Sequence, residues 1–183
     1  PYRMSKRAGD FVLAKDLIKA VGKDAARFMM IYRSSQSQLD FDFDLINEKS
    51  KDNPIFYVQY ACARLNSLFQ KSKINIDKEI ENINLNNLNN NIELNLIKKI
   101  LEWPKIINLC LSNLEVHYIP FYLYELSSEF HSFWNAGKEN EDLRIIDHPN
   151  EKISKSRLFM LQKLYIVLKN GLNILNIDIP KKM

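Results

Sequence analysis

The dipeptide Asn53-Pro54 opens a run in which Ile55, Val58, Cys62, Leu65 and Leu68/Phe69 return every three to four positions. That spacing lays an apolar stripe along one long α-helix. Proline suits the first turn, where its missing N–H would have had no partner anyway. The same rhythm recurs downstream. It predicts a helix from Glu93 to Asn113, kinked or interrupted at Pro104. A further helix begins near Pro120, carries Tyr122, Leu123, Leu126, Phe130, Phe133 and Trp134 on a broad face, and stops at Gly137. A last one, from about Glu151 to Leu175, turns Leu158, Leu161, Leu164, Leu168 and Leu172 inward. Upstream, Asp16 is expected to cap a short helix that Gly22 ends, and Asp24 to cap a second through Ala25, Arg27, Phe28, Ile31 and Tyr32. Glycine occurs only 4 times and proline 6 times in 183 residues, too few for a turn-dense β domain. The expected fold class is all-α, a helical bundle with connections of mixed length.

Three stretches fall outside this rhythm. Residues 36–46 alternate polar and apolar side chains, as a short extended segment would; Asp40, Asp42 and Asp44 then share a face, where capping and solvation are the expected roles rather than cation binding. Residues 73–92 are rich in asparagine, a poor helix former, and are read as a loop or frayed insertion without a function of its own. Residues 138–151 form a polar loop, and residues 176–183 an extended tail.

Charge narrows the partners. Residues 1–30 hold Arg3, Lys6, Arg7, Lys15, Lys19, Lys23 and Arg27 against Asp10, Asp16 and Asp24, which supplies the whole net charge of +4. A polyanionic partner is one reading and a solvated face the other. Cys62 and Cys110 lie in separate apolar stretches, as free thiols in a reducing cytoplasm would. The most apolar stretch, Leu158 to Leu175, is broken by Gln162, Lys163, Lys169 and Asn170, so no membrane partner is expected. The chain opens at Pro1 rather than at an initiator methionine, which reads as a fragment.

No self-contained active site is visible. His117, His131 and His148 are dispersed, none at metal-ligand spacing, and each is read as an ordinary surface or packing histidine. No glycine-rich phosphate loop or nucleophile elbow is present, so the chain by itself reads as a binding module. Tyr57, Gln59, Tyr60 and Arg64 occupy a helix face distinct from the apolar stripe, and Tyr60 and Arg64 stand four residues apart. Such a pair offers a stacking plane and a phosphate contact together; the alternative is that they bridge helices within the bundle.

Two short motifs and several longer phrases carry a family resemblance. Arg3-Met4-Ser5-Lys6-Arg7 resembles the KMSKS loop of class I aminoacyl-tRNA synthetases, with Lys6 at the second lysine, Arg3 at the first and Arg7 in place of the final serine. Lys23-Asp24-Ala25-Ala26-Arg27-Phe28 resembles the DALR motif of an anticodon-binding domain, with Ala26 in place of leucine. The phrases at 39–45, 52–64, 121–140 and 171–183, the last closing on Met183, are similar to bacterial arginyl-tRNA synthetases in order and wording.

This resemblance implies a division into residues 1–22, the end of a catalytic domain, and residues 23–183, a helical anticodon-binding domain. It implies a tRNA(Arg) partner and the catalytic domain of the same polypeptide as a second partner, with a monomer expected. ATP and Mg2+ belong to the full enzyme and neither is expected on this part alone, which lacks the HIGH motif. Lys6 would be the catalytic lysine of the ATP loop, flanked by Arg3, Met4, Ser5 and Arg7. Phe130, Trp134 and Met183 would form the pocket for the central anticodon base. Phe130 stands where relatives carry tyrosine, so packing or stacking would remain and a hydroxyl hydrogen bond would not; the alternative for all three is the core. Arg27 is read as structural, holding its helix to a neighbouring carboxylate or backbone carbonyl.

Overall fold

The computed structural model describes residues 13–38, 46–72, 74–80 and 83–183, and among them the regular structure is helical throughout. The proposed ATP-loop residues Arg3, Met4, Ser5, Lys6 and Arg7 lie outside the described residues, as do Asp40, Asp42 and Asp44. Among the described residues the α-helices with given bounds follow in order: α1 Ala14–Val21, α2 Lys23–Ile31, α3 Pro54–Ser72, α4 Ile76–Glu79, α5 Asn91–Leu101, α6 Trp103–Asn113, α7 Tyr118–Glu139 and α8 Glu151–Ile174. No helix among them is long and apolar enough to cross a membrane.

The long helices α3, α7 and α8 pack on one another, with α5 and α6 against α7. The apolar stripe of α3 is buried at Ile55, Val58, Cys62, Leu65 and Leu68, facing Leu123, Leu126 and Phe130 of α7 and Leu161, Leu164 and Leu168 of α8 in one core. Asn53 starts α3. Its amide Nδ2 donates to the carbonyls of Ile46 (2.6 Å) and Glu48 (2.8 Å), and its Oδ1 accepts the Phe56 N–H. Such a cap stabilises a helix by about 1 kcal/mol.

Helix boundaries differ from expectation where side chains act inside the first turn. α1 begins after Leu13, which provides no side-chain cap, and Asp16 sits in the first turn instead. α2 begins after Gly22, whose φ of +83° lets the chain reverse between two helices, and Asp24 is again a first-turn residue. Both carboxylates still favour a helix N-terminus through the dipole. α7 starts at Tyr118, before Pro120, and runs through Gly137 to Glu139. Gly137 is therefore not a stop: a Cβ there would stand 2.7 Å from the Leu143 carbonyl oxygen, so the helix needs glycine for the returning chain to lie against it.

The asparagine-rich stretch is not a frayed insertion where it is described. Asn75, Asn84 and Asn90 each cap a turn of helix by accepting a backbone N–H, and Asn90 forms a reciprocal capping box with Glu93. Ile76 and Leu88 are buried in the core, and Asn87 Nδ2 donates to Ser156 Oγ on α8 at 3.2 Å. Asparagine is a poor residue inside a helix, yet the same competition for backbone hydrogen bonds makes it favourable at caps.

Candidate nucleic-acid interface

The DALR-like helix α2 holds the C-terminal tail. The Asp24 carboxylate accepts the Asp178 N–H at 3.1 Å, and Arg27 Nε–H donates to the Leu175 carbonyl, the backbone alternative of the two expected for it. On α3, Gln59 Nε2 donates to the Asp178 carbonyl at 3.1 Å and Asn66 Nδ2 to the Lys181 carbonyl at 2.9 Å. With Ile177 buried, these bonds bring Lys182 and Met183 alongside α3. Gln59 is thus engaged with the tail.

Next to the tail, Arg64 lies between two rings. Its guanidinium carbon is 4.3 Å from the Tyr60 centroid and 5.0 Å from that of Trp134. Nη2 donates to the Tyr60 hydroxyl, and Nη1 donates to His131 Nδ1 at 3.3 Å. His131 sits on α7, 3 % exposed, with its other nitrogen 3.3 Å from the Tyr57 carbonyl. Arginine only donates and a carbonyl only accepts, so Nδ1 must carry the lone pair and Nε2 the proton. Burial pushes the His131 pKa down to about 4, with the Arg64 charge acting in the same direction, which keeps the ring neutral and able to accept from Arg64. Its ring also packs against those of Tyr57 (4.4 Å between centroids) and Tyr60 (5.4 Å).

Tyr60, Arg64 and Trp134 line a surface groove of about 360 Å3, closed on one side by Lys182 and Met183 and reached by Lys71. Its lining includes three cationic side chains and no acidic one. An aromatic wall beside clustered cations attracts a stacked ring attached to phosphates. Met183 is 57 % exposed, leaving its thioether free to cover a guest.

The residues expected to act together separate into two groups. Trp134, Met183, Tyr60 and Arg64 converge on the groove. Phe130 is 0 % exposed and lies in the core, its ring 6.2 Å from that of Trp134. It backs the tryptophan and offers no face to a ligand. Tyr57 is half-buried against Tyr124 and His131, and burial pushes its phenol pKa up. It supports the groove from behind. His131, read as ordinary, proves central; its place four residues after Ser127 and two before Phe133 carries no sequence signal of that role. Lys71 and Lys182 were also not singled out.

The family model of the DALR anticodon binding domain matches residues 58–183. The arginine–tRNA ligase of Pelagibacter ubique (strain HTCC1062) is 48 % identical over 183 residues, covering 100 % of this chain and 32 % of that protein. The chain thus spans about a third of the length of the curated relatives it matches. A solved structure of the arginyl-tRNA synthetase type from Campylobacter jejuni superimposes with a TM-score of 0.82 at 27 % identity, over 100 % of this chain and 38 % of that one. The arginyl-tRNA synthetase of Plasmodium falciparum gives a TM-score of 0.74 at 25 % identity, over 91 % and 28 %. The chain belongs to the DALR anticodon binding domain family.

Proposed function

We propose that this chain is the tRNA-reading part of an arginine–tRNA ligase and that it takes an unpaired base of the tRNA(Arg) anticodon loop into the groove beside Trp134. The observation that carries this reading is the stacked arrangement of Tyr60, Arg64 and Trp134, with Met183 brought to the same groove by the tail. A base entering there meets the tryptophan ring, a fixed guanidinium fork and the thioether, while Lys71 and Lys182 face its phosphates. Arg64 acts through geometry as well as charge: His131 and Tyr60 hold the guanidinium plane, so little freedom is lost when a ligand binds.

Attachment of arginine using ATP and Mg2+ belongs, in this proposal, to the longer protein. Residues 1–22 would be the end of its catalytic domain, with Lys6 stabilising charge on the ATP phosphates and Arg3, Met4, Ser5 and Arg7 completing the loop. Residues 23–183 would form the reading domain, working in the cytoplasm as a monomer.

Titration of labelled tRNA(Arg) and a non-cognate tRNA at low and moderate salt tests this. Cognate binding should be tighter, and should weaken as salt rises because the phosphate contacts release counterions. Equal affinity for both tRNAs, or none at low salt, would contradict the reading. Purified alone, the chain should show no ATP–pyrophosphate exchange.

A further inference from the structure

Between α5 and α8 lies an apolar groove of about 170 Å3 that shares no lining residue with the groove at Arg64. Its buried members are Leu88 and Met160; Leu85 and Leu101 are 50 % and 72 % exposed, and Phe159 is half-buried. A cavity of about 150 Å3 takes in a benzene ring, so one large apolar side chain has room here. The apolar surface runs on along both helices. Leu94 is exposed two turns before Leu101 on the same face of α5, and Ile166 is exposed two turns after Phe159 on the same face of α8. Exposed leucine and isoleucine bordering a groove from both sides make a patch, which marks an interaction site where single exposed residues would not.

The same two faces carry Lys98, between Leu94 and Leu101, and Lys163, between Phe159 and Ile166. Lys163 Nζ lies 4.4 Å from the Phe159 ring centroid and 3.4 Å from Gln162 Oε1. Neither lysine has an ion pair among the described residues. The acids of these helices are engaged elsewhere: Glu93 with Arg157, Glu151 with Lys155, and Glu102, at the end of α5, with Lys99. The rim is therefore cationic around an apolar floor. A second copy of the chain would set Lys98 and Lys163 against themselves, which disfavours a symmetric pair. Helices lend no open sheet edge to an extended peptide, and a single ring is too few for a proline-rich one. We infer that the α5–α8 groove docks an amphipathic helix of a partner protein. Its row of leucine, isoleucine or phenylalanine side chains enters between Leu101 and Phe159, and glutamate or aspartate on its flanks faces Lys98 and Lys163.

The test titrates the methyl-labelled chain with synthetic helical peptides of about five turns. One carries a leucine row flanked by glutamate. A second exchanges the glutamates for lysine, and a third exchanges the leucines for alanine. The first should shift the methyl signals of Ile97, Ile100 and Leu101, and bind at least about fivefold more tightly than either control. Leu101→Glu, at an exposed position outside the core, should weaken it by at least about fivefold. Lys98→Glu combined with Lys163→Glu should reverse the preference, so that the lysine-flanked peptide binds the tighter. No shift at the groove with the glutamate-flanked peptide at about 1 mM, or equal binding of the two leucine peptides, overturns the site. Three other results overturn it by naming a different occupant, each if abolished by Leu101→Glu: binding to phosphatidylserine vesicles in place of the peptide, self-association of the chain, or binding of tRNA(Arg).

Discussion

The Arg64 guanidinium stands 5.0 Å from the Trp134 ring centroid, and it is neutral His131 that holds it there through Nδ1 at 3.3 Å. The charge over the ring is therefore a fixed part of the protein surface. Arg64→Lys keeps the charge but cannot bond to both His131 Nδ1 and the Tyr60 hydroxyl. RNA affinity should fall by about 1–2 kcal/mol with the salt slope little changed. Lys182→Ala should instead flatten the slope of log K against log salt by about 1. Fluorescence anisotropy at several salt concentrations separates the two effects.

His131 also makes stability depend on pH. Its folded pKa, about 4, lies below the unfolded value near 6.5, so the unfolded chain binds the extra proton first. This contribution is complete above the unfolded pKa and is lost as pH falls from 6.5 towards 4, by up to about 3 kcal/mol. Urea midpoints across that window should decline in wild type. His131→Gln should lower the midpoint at neutral pH and flatten the decline on the acid side; an unchanged decline would place its origin elsewhere.

Glu93 and Arg157 form a buried pair that also satisfies the carbonyls of Asp142 and Arg144. Arg157→Met leaves the buried Glu93 carboxylate without its counter-ion, with only the Asn90 N–H still bonded to it, and should cost about 3–5 kcal/mol by urea denaturation. Glu93→Leu combined with Arg157→Met should recover part of this. Full recovery is not expected, because the Asp142 and Arg144 carbonyls remain unpaired.

Gly171 in α8 runs against the usual ranking of helix formers. Alanine normally stabilises such a position, yet a Cβ at 171 would stand 2.6 Å and 2.8 Å from the Leu123 methyl carbons and 3.1 Å from its Cγ. Leu123 is fully buried and has little room to move. Gly171→Ala should therefore destabilise by about 1–3 kcal/mol in thermal or urea unfolding. Relief of that cost in the Leu123→Ala background would show that the clash is its cause.

The bundle was legible in the sequence because burial of an apolar stripe repeats at helical spacing, and α3, α7 and α8 follow that rule almost residue for residue. Ends were less legible. A cap is defined by which N–H a side chain meets, so Asp16 and Asp24 looked like caps, while Asn75, Asn84 and Asn90 looked like loop residues. Phe130 and Trp134, one turn apart, carry the same pattern in sequence; only packing sends the first fully into the core and leaves the second partly buried at its edge. Glu93, Arg157 and His131 were missed for a related reason. Buried charge and a tautomer fixed by its neighbours are properties of contacts between distant segments, and spacing along one helix does not encode them.

Trp134 carries the central claim. The chain has 2 tryptophans, so Trp103→Phe leaves Trp134 as the single reporter. Its fluorescence should change when the anticodon hairpin binds. In a chain of otherwise native sequence, Trp134→Ala should weaken cognate RNA binding by about 1–3 kcal/mol while the helical circular dichroism persists. Undiminished affinity, or loss of helicity on substitution, would contradict the reading of Trp134 as the ring on which the RNA base stacks.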